Sequence, residues 1–426
     1  MVSRKKWALA SAIAAAVAMP VTALATTAGY FQLGYSSLSD GMAGASAALP
    51  QDTMIQATNP AGIAFVGNQV DLGIAGFWPF RGYTAGGSAG NMPNPGTYGS
   101  HGNFFLIPHI AYSQRLSHDN YVGIAVYGNG GMSTNYNDGT APSGPYYGGQ
   151  TGVNLSQLFV QATYARKFLR HDSVGFSIIA ARQTFSADGL GKFGLAGYSR
   201  NSAVLTNNGK DTSTGVGFKI GTQFRIVPGV DLGLAYSPRM TMSKFSKYAG
   251  LFANQGQLDV PANGVIGLAF KPTRDQVVAF DFQRIYYNDV PAIADQTNFN
   301  GSGSLTTGLF GSANGSGFGW QNVSVYKLGY QVASSQALTW RVGFAYNTQP
   351  IPSSQVLLNV LAPGVIQRHV TAGVTVHTAP DQDVTVAAMY GLPQSVYGNA
   401  PAAFGDAPIK ISLHEYQLEA NWGWKF

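Results

Sequence analysis

Cysteine is absent from the 426 residues, which excludes a disulfide framework, a thiolate nucleophile and a zinc–thiolate site. Charge is scarce as well. Asp, Glu, Lys and Arg make up 10% of the chain, against about 25% in ordinary soluble proteins. With 45% apolar and 12% aromatic residues, the sequence is not disordered, because disorder needs low hydrophobicity and high charge. Long apolar runs are also missing. Beyond the N-terminus no stretch approaches the ~18 residues that a membrane-crossing helix requires. The length would suggest about three soluble domains, yet no linker or shift in composition divides the chain, and 54 glycines are spread along it. One large β structure fits these constraints.

The N-terminus points to export. Arg4, Lys5 and Lys6 form a basic start, Trp7 to Met19 a short apolar core, and Ala23-Leu24-Ala25 a small-x-small cleavage site, the pattern of a signal peptide over 1–25. The competing reading, an N-terminal anchor helix, suffers from an apolar run too short to span. Removing the segment's three basic residues leaves 22 basic against 19 acidic residues, a net +3. That charge is small and scattered, so nucleic acid is not an expected partner. A cysteine-free exported chain suits the envelope of a Gram-negative bacterium.

The informative signal is a period of two. Read backwards from Phe426, one face carries Trp424, Trp422, Ala420, Leu418 and Tyr416, and the other Lys425, Gly423, Asn421, Glu419, Gln417 and Glu415. Such alternation marks a strand with one apolar and one polar face. It recurs at Leu338–Asn347 and Val216–Arg225. Strands are expected near 68–78, 103–115, 121–127, 155–166, 172–186, 212–226, 229–237, 258–270, 275–288, 321–331, 337–347, 365–376, 383–391 and 409–425. That is fourteen, an even number. Six of their connections are short turns and seven are long and rich in Gly, Asn, Ser and Pro. Short turns at one end, long loops at the other and aromatics near the strand ends describe a transmembrane β-barrel, whose closed sheet satisfies every backbone group in lipid. A secreted β-sandwich or β-helix would not predict that alternation.

Two segments do not fit a plain barrel. Residues 26–67 are too long for a simple tail, rich in small residues over Gly41–Ala48, and end at Asn59-Pro60-Ala61-Gly62. Compact, weakly charged material of this kind could fill a lumen as a plug, leaving 68–426 as the barrel. In Met240–Gln257, residues Phe245, Tyr248, Leu251 and Phe252 fall on one side of a helix, a face that either meets a hydrophobic ligand or caps the barrel rim.

These residues resemble the FadL/TodX family of outer-membrane hydrophobic-compound transporters. Ser36–Ala61 looks like that family's N-terminal hatch: a Ser-Ser start, a Gly/Ala-rich middle and a closing Asn59-Pro60-Ala61. Phe104–Asp138 resembles its second and third strands, Trp340–Pro352 one of its strand–loop units, and Phe426 the terminal aromatic read by outer-membrane assembly machinery. The hatch stretch Gly41–Ala45 carries no arginine, a departure from the family pattern. The resemblance implies a fourteen-stranded antiparallel barrel plugged by the hatch. It also implies passive uptake of long-chain fatty acids or similar apolar molecules, captured between outer loops and released sideways where the third strand is kinked; uptake of aromatic hydrocarbons, or a structural or adhesin-type barrel with a shut plug, are the alternative readings. A single chain embedded among outer-membrane lipid and lipopolysaccharide is expected.

Moving an insoluble molecule past that polar layer requires graded apolar surfaces, and burial is worth about 0.8 kcal/mol per methylene. Phe193, Leu195 and Tyr198 in one loop, with Phe245, Tyr248, Leu251 and Phe252 in the next, are the candidate capture groove; a mere loop–loop core is the alternative. A carboxylate head would want a cation, and Lys219, Arg225 and Arg341 lie on inward faces. Arg341 also matches a family arginine. These cations could instead pair with Asp231, Asp281 or Glu419. Gly128, Gly130 and Gly131, at the end of the third strand, mark either a bend that opens the ladder or an ordinary turn. Catalytic motifs are thin, and neither an enzyme nor a cofactor is expected. Gly189-Leu190-Gly191-Lys192-Phe193-Gly194 matches G-x-G-x-x-G without its strand–turn–helix context. His101, His109, His118, His171, His369, His377 and His414 show no metal spacing.

Overall fold

A computed structural model describes residues 27–137, 144–195 and 197–426; the expected signal peptide, 1–25, lies outside the described residues. Fifteen strands are present: β1 (Gln69–Ala85), β2 (Gly96–Gly99), β3 (Phe105–Arg115), β4 (Asn120–Ser133), β5 (Gly152–Lys167), β6 (Ser173–Asp188), β7 (Asp211–Val227) and β8 (Val230–Ser237) are followed by β9 (Asn263–Phe270), β10 (Gln276–Ile285), β11 (Val323–Ala333), β12 (Leu338–Asn347), β13 (Arg368–Ala379), β14 (Gln382–Asn399) and β15 (Pro408–Lys425). Fourteen of them, all but β2, pair antiparallel with their neighbours in chain order. Pairing of β1 with β15, from Gln69↔Lys425 to Ala85↔Ile409, closes the ring. The short β2 only extends the upper part of β1. Among the described residues no helix is long and apolar enough to cross a membrane.

Side-chain alternation sorts the wall. Along β15, Tyr416 and Leu418 are exposed, while Glu415, Gln417, Glu419 and Asn421 are buried inside. Outward aromatics form two belts. One holds Trp422, Trp424 and Phe426, with Tyr112 stacked on Phe426. The other holds Tyr416 with Tyr390 and Phe80. Eight residues separate Trp424 from Tyr416. At about 3.3 Å per residue and a tilt of about 40°, the belts stand roughly 20 Å apart, close to the apolar band of a barrel in lipid.

Several strands run further than the alternation suggests. β1 continues through Pro79, β4 through its glycines, and β14 through a register irregularity between Gly391 and Gln394 to Asn399. Pro393 lacks the N–H that a regular ladder needs at that point. The β14–β15 connection is therefore only 400–407, not a long loop. Met240–Gln257 is also not one helix. It holds a 3₁₀ turn at Ser246–Tyr248 and a turn at Ala253–Gly256, where Asn254 and Gln255 have positive φ.

Residues 27–66 lie against the inward face of the wall. Asp281 on β10 accepts from the amides of Ser46 and Ala47, each at 2.9 Å. Asp71 on β1 accepts from the Thr53 amide at 2.9 Å and its hydroxyl at 2.6 Å. Lys327 on β11 donates to the Leu33 carbonyl at 2.7 Å. The backbone fits because inward positions of the wall lack side chains: a Cβ at Gly233 would collide with the Ala47 carbonyl, and one at Gly221 with the Asn59 side chain.

Candidate functional site

Above these polar contacts the long loops fold over the lumen and bury their aromatics. Phe185, near the outer end of β6, is the hub. Tyr248, Phe252 and Phe245 pack on it with ring centroids 4.9, 4.6 and 5.7 Å away. A compact loop, not a helical face, brings these three together, and Phe245 and Tyr248 are fully buried. Burial pushes the Tyr248 hydroxyl up from its ordinary value, and it donates to the Gly209 carbonyl at 2.7 Å.

Two apolar cavities flank Phe252. The outer one, about 20 Å³, is lined by Phe193, Leu251, Phe252, Phe310, Phe318 and Leu361 among others. The inner one, about 40 Å³, is lined by Tyr30, Met132, Phe185, Phe252, Phe318 and Trp320 among others. Phe252 and Phe318 stand between them and belong to both. Of the expected capture residues, Phe193, Leu251 and Phe252 meet at the outer cavity, with Phe245 and Tyr248 behind Phe252. Tyr198 packs beyond Phe193 against Phe299. Leu195 is 91% exposed and takes no part, since the turn at Gly191–Leu195 points Phe193 inward and Leu195 away. Phe310, Phe318, Trp320 and Leu361 come from loops that carry no periodic signal, so the sequence gives no hint of them.

Two residues lining the inner cavity, Tyr30 and Met132 of β4, stand beside a break in the wall. Pairing of β3 with β4 stops at Ile110↔Val126. Above it, residues 105–109 of β3 pair with β1 alone, and 127–133 of β4 with β5 alone. The two sides meet again at the rim, where the His101 amide donates to the Asn135 carbonyl at 2.7 Å. Pro108 stands on the β3 side of the gap. On the β4 side the register shifts between Gly128 and Gly130, leaving Asn129 as a bulge whose side-chain Nδ2 donates to the Gln157 side-chain oxygen at 2.8 Å. Phe31 bridges to Gly130, and the Gly131 amide donates to the Tyr30 carbonyl at 3.1 Å. A side chain at Gly130 would collide with that carbonyl. The chain's own N-terminal residues thus occupy the inner side of the break. Tyr287 ties them there, accepting from the Tyr30 amide and donating to the Ala28 carbonyl.

The three candidate cations are not gathered at one point. Lys219 donates to the Ala57 carbonyl. Arg341 donates to Gln51 at 3.0 and 2.9 Å and to Thr375 at 2.6 Å. Arg225, at the turn end of β7, is forked onto Asp231 at 2.8 and 3.2 Å, and Lys271 joins Asp231 from the other side at 2.7 Å. Two of the three hold residues 27–66 and the third fastens a turn. Of the hatch motif, Asn59 donates to the carbonyls of Ala47 at 2.8 Å and Thr222 at 3.0 Å, and its side-chain oxygen accepts from the Ala61 amide. Pro60 opens the following turn.

The structure is a closed barrel with an apolar outer face, its own residues 27–66 against the inner wall, and two apolar voids between the outer loops and a break in the wall. The chain belongs to the outer membrane protein transport protein (OMPP1/FadL/TodX) family, whose model matches residues 19–403. It is thus an outer-membrane β-barrel of a family that transports hydrophobic compounds. In fold it is similar to the P. putida toluene transporter TodX (17% identity, TM-score 0.67, covering 92% of this chain and 99% of that one). It is also similar to a Pseudomonas aeruginosa FadL homologue (13%, 0.70, 94% and 100%) and to the Ralstonia pickettii toluene transporter TbuX (17%, 0.63, 92% and 99%). No protein of curated function matches the sequence.

Proposed function

We propose that this protein carries small apolar molecules passively across the outer membrane, with single-ring aromatic hydrocarbons favoured over long-chain fatty acids. The observation that carries the reading is the lining of the two cavities, which apart from Ser316 and Gly317 is aromatic and aliphatic, with no cation in it. A carboxylate there would be buried without a partner, which is costly. Lys219, Arg225 and Arg341 are already engaged elsewhere. The toluene transporters among its structural relatives support the same choice. Solute enters between the outer loops, passes Phe252 and Phe318, and leaves through the β3–β4 break once residues 28–32 move aside. Residues 26–67 act as the hatch, and the chain works as a monomer whose Phe426 is read by the assembly machinery.

The test is uptake of radiolabelled toluene and oleate in a host lacking its own transporters of hydrophobic compounds. Toluene uptake above the empty-vector level with oleate at that level is the expected result, and Arg341→Ala should leave toluene uptake unchanged. Oleate uptake that is abolished by Arg341→Ala would overturn the choice of substrate.

A further inference from the structure

The outer face of the wall is not evenly convex. Across β5 to β10 it carries a groove of about 730 Å³, lined by outward side chains. One continuous register row runs along it: Tyr164, Phe176, Ile220, Tyr236, Gly264 and Arg284, each the cross-strand partner of the next. Gly264 has no side chain, so the row is notched there beside the Tyr236 ring. Tyr164 lies three residues from the turn end of β5, and Arg284 eight residues above the turn end of β10, level with the outer aromatic belt. Five strand steps of about 4.8 Å give a groove roughly 24 Å long. Inclined by about 40° with the strand tilt, it climbs roughly 15 Å, about three quarters of the ~20 Å between the two aromatic belts. The groove thus descends from the outer belt past the middle of the apolar band, and its upper part, from Ile220 to Arg284, covers the depth of the outer leaflet.

Its upper end is charged. Arg284 is half-buried and donates to the Ser324 hydroxyl at 2.6 Å. Among the described residues no carboxylate forms an ion pair with it, although Arg225 and Arg239 each have one. An outward guanidinium held beside Tyr236 and Tyr286, at the top of an apolar trough, matches an anionic head joined to a hydrocarbon tail. Guanidinium groups recognise phosphate through paired hydrogen bonds. In the outer leaflet of an outer membrane the lipid with that chemistry is lipopolysaccharide.

We infer that the upper part of this groove docks one lipopolysaccharide molecule, an acyl chain lying along the Ile220–Gly264 part of the row and a lipid A phosphate on Arg284. The site is on the lipid side of the wall, away from the transport path, so it stands or falls separately from the choice of solute. Native mass spectrometry of the full chain, purified in mild detergent from lipopolysaccharide-bearing membranes, should find one bound lipopolysaccharide. Arg284→Glu should reduce it roughly tenfold, the ratio of a charge-assisted contact of about 1.4 kcal/mol. Gly264→Phe, which fills the notch, should reduce it similarly, and Arg284→Lys should retain an intermediate amount. All three should keep heat-modifiable mobility and normal toluene uptake. Should Arg284→Glu fail to assemble, wild-type protein titrated with phosphorylated and dephosphorylated lipid A should prefer the phosphorylated form by a similar factor. Equal retention by wild type and variants, equal binding of the two lipid A forms, or a lipid-free dimer that Gly264→Phe dissociates would overturn the assignment.

Discussion

The two halves of the lumen are built on opposite principles. In the half nearer the short turns, Asp281, Asp71, Lys327, Lys219 and Arg341 each reach residues 27–66 with directional, charge-assisted bonds. In the half nearer the long loops, contact is aromatic and aliphatic, and two voids remain around Phe252. Charge-assisted bonds are lost almost whole when geometry shifts, so the first half fixes a segment in place. Apolar contact is non-directional and tolerates rearrangement, so the second half is the one through which the proposed route runs. Position and passage are assigned to different chemistry.

The strongest challenge to that division is to remove the fixed segment. Deleting residues 30–58 should produce a large rise in conductance for small hydrophilic solutes in planar bilayers, and unchanged conductance would show that this segment does not block the lumen. Next comes the break in the wall. Replacing Gly128, Gly130 and Gly131 together with valine forces a side chain onto the Tyr30 carbonyl and favours a regular ladder. Toluene uptake should fall about tenfold or more, a barrier change of about 1.4 kcal/mol, in a barrel that still shows heat-modifiable mobility. Normal uptake would place the exit elsewhere.

Within the polar half, Asp281→Ala strands two buried amides, those of Ser46 and Ala47, at about 1–3 kcal/mol each. Hydrogen exchange over residues 43–50 should rise sharply, with Asp281→Asn in between. In the apolar half, Phe252→Ala should merge the cavities and raise the uptake of two-ring aromatics relative to toluene severalfold. Phe245→Ala should lower thermal stability without changing that ratio; if both variants shift it alike, the cavities are not the path. The smallest effect is expected at Arg225→Ala, which removes one of two cations from the buried Asp231 at a turn, leaving Lys271 in place, and should leave uptake unaltered.

The barrel was readable because lipid on one side and a polar lumen on the other impose a period of two on every strand, as Tyr416–Asn421 illustrates. Strand ends were less readable. Pro79, Gly128–Gly131 and Pro393 look like terminators, yet β1, β4 and β14 run through them, because a barrel wall can absorb a missing donor or a bulge. The site was legible only in part. Phe193, Leu251 and Phe252 could be chosen as aromatic or aliphatic residues in otherwise polar loops. The partners Phe310, Phe318 and Trp320 come from a loop of 286–322 whose contacts follow no periodicity, and nothing local marks Tyr30 as the residue at the break. The charges of Arg225 and Arg341 were visible, but not their distance from the apolar path, which only the assembled ring determines.

The seam of the ring sets an order of assembly. β1 closes onto β15 over seventeen paired positions, and the Phe426 amide donates to the Asn68 carbonyl. These are among the most distant contacts in sequence that the chain makes, and contacts between remote segments are intrinsically slow to form. The segment to be enclosed is made first and the strand that encloses it last. Until β15 arrives, residues 27–66 have a wall with an open edge, so the Asp71 and Asp281 anchors can be engaged before closure. Once the seam zips from Lys425 to Ile409, the N-terminal segment is inside a continuous hydrogen-bonded ring, and removing it bodily means reopening that seam or drawing it out through an end.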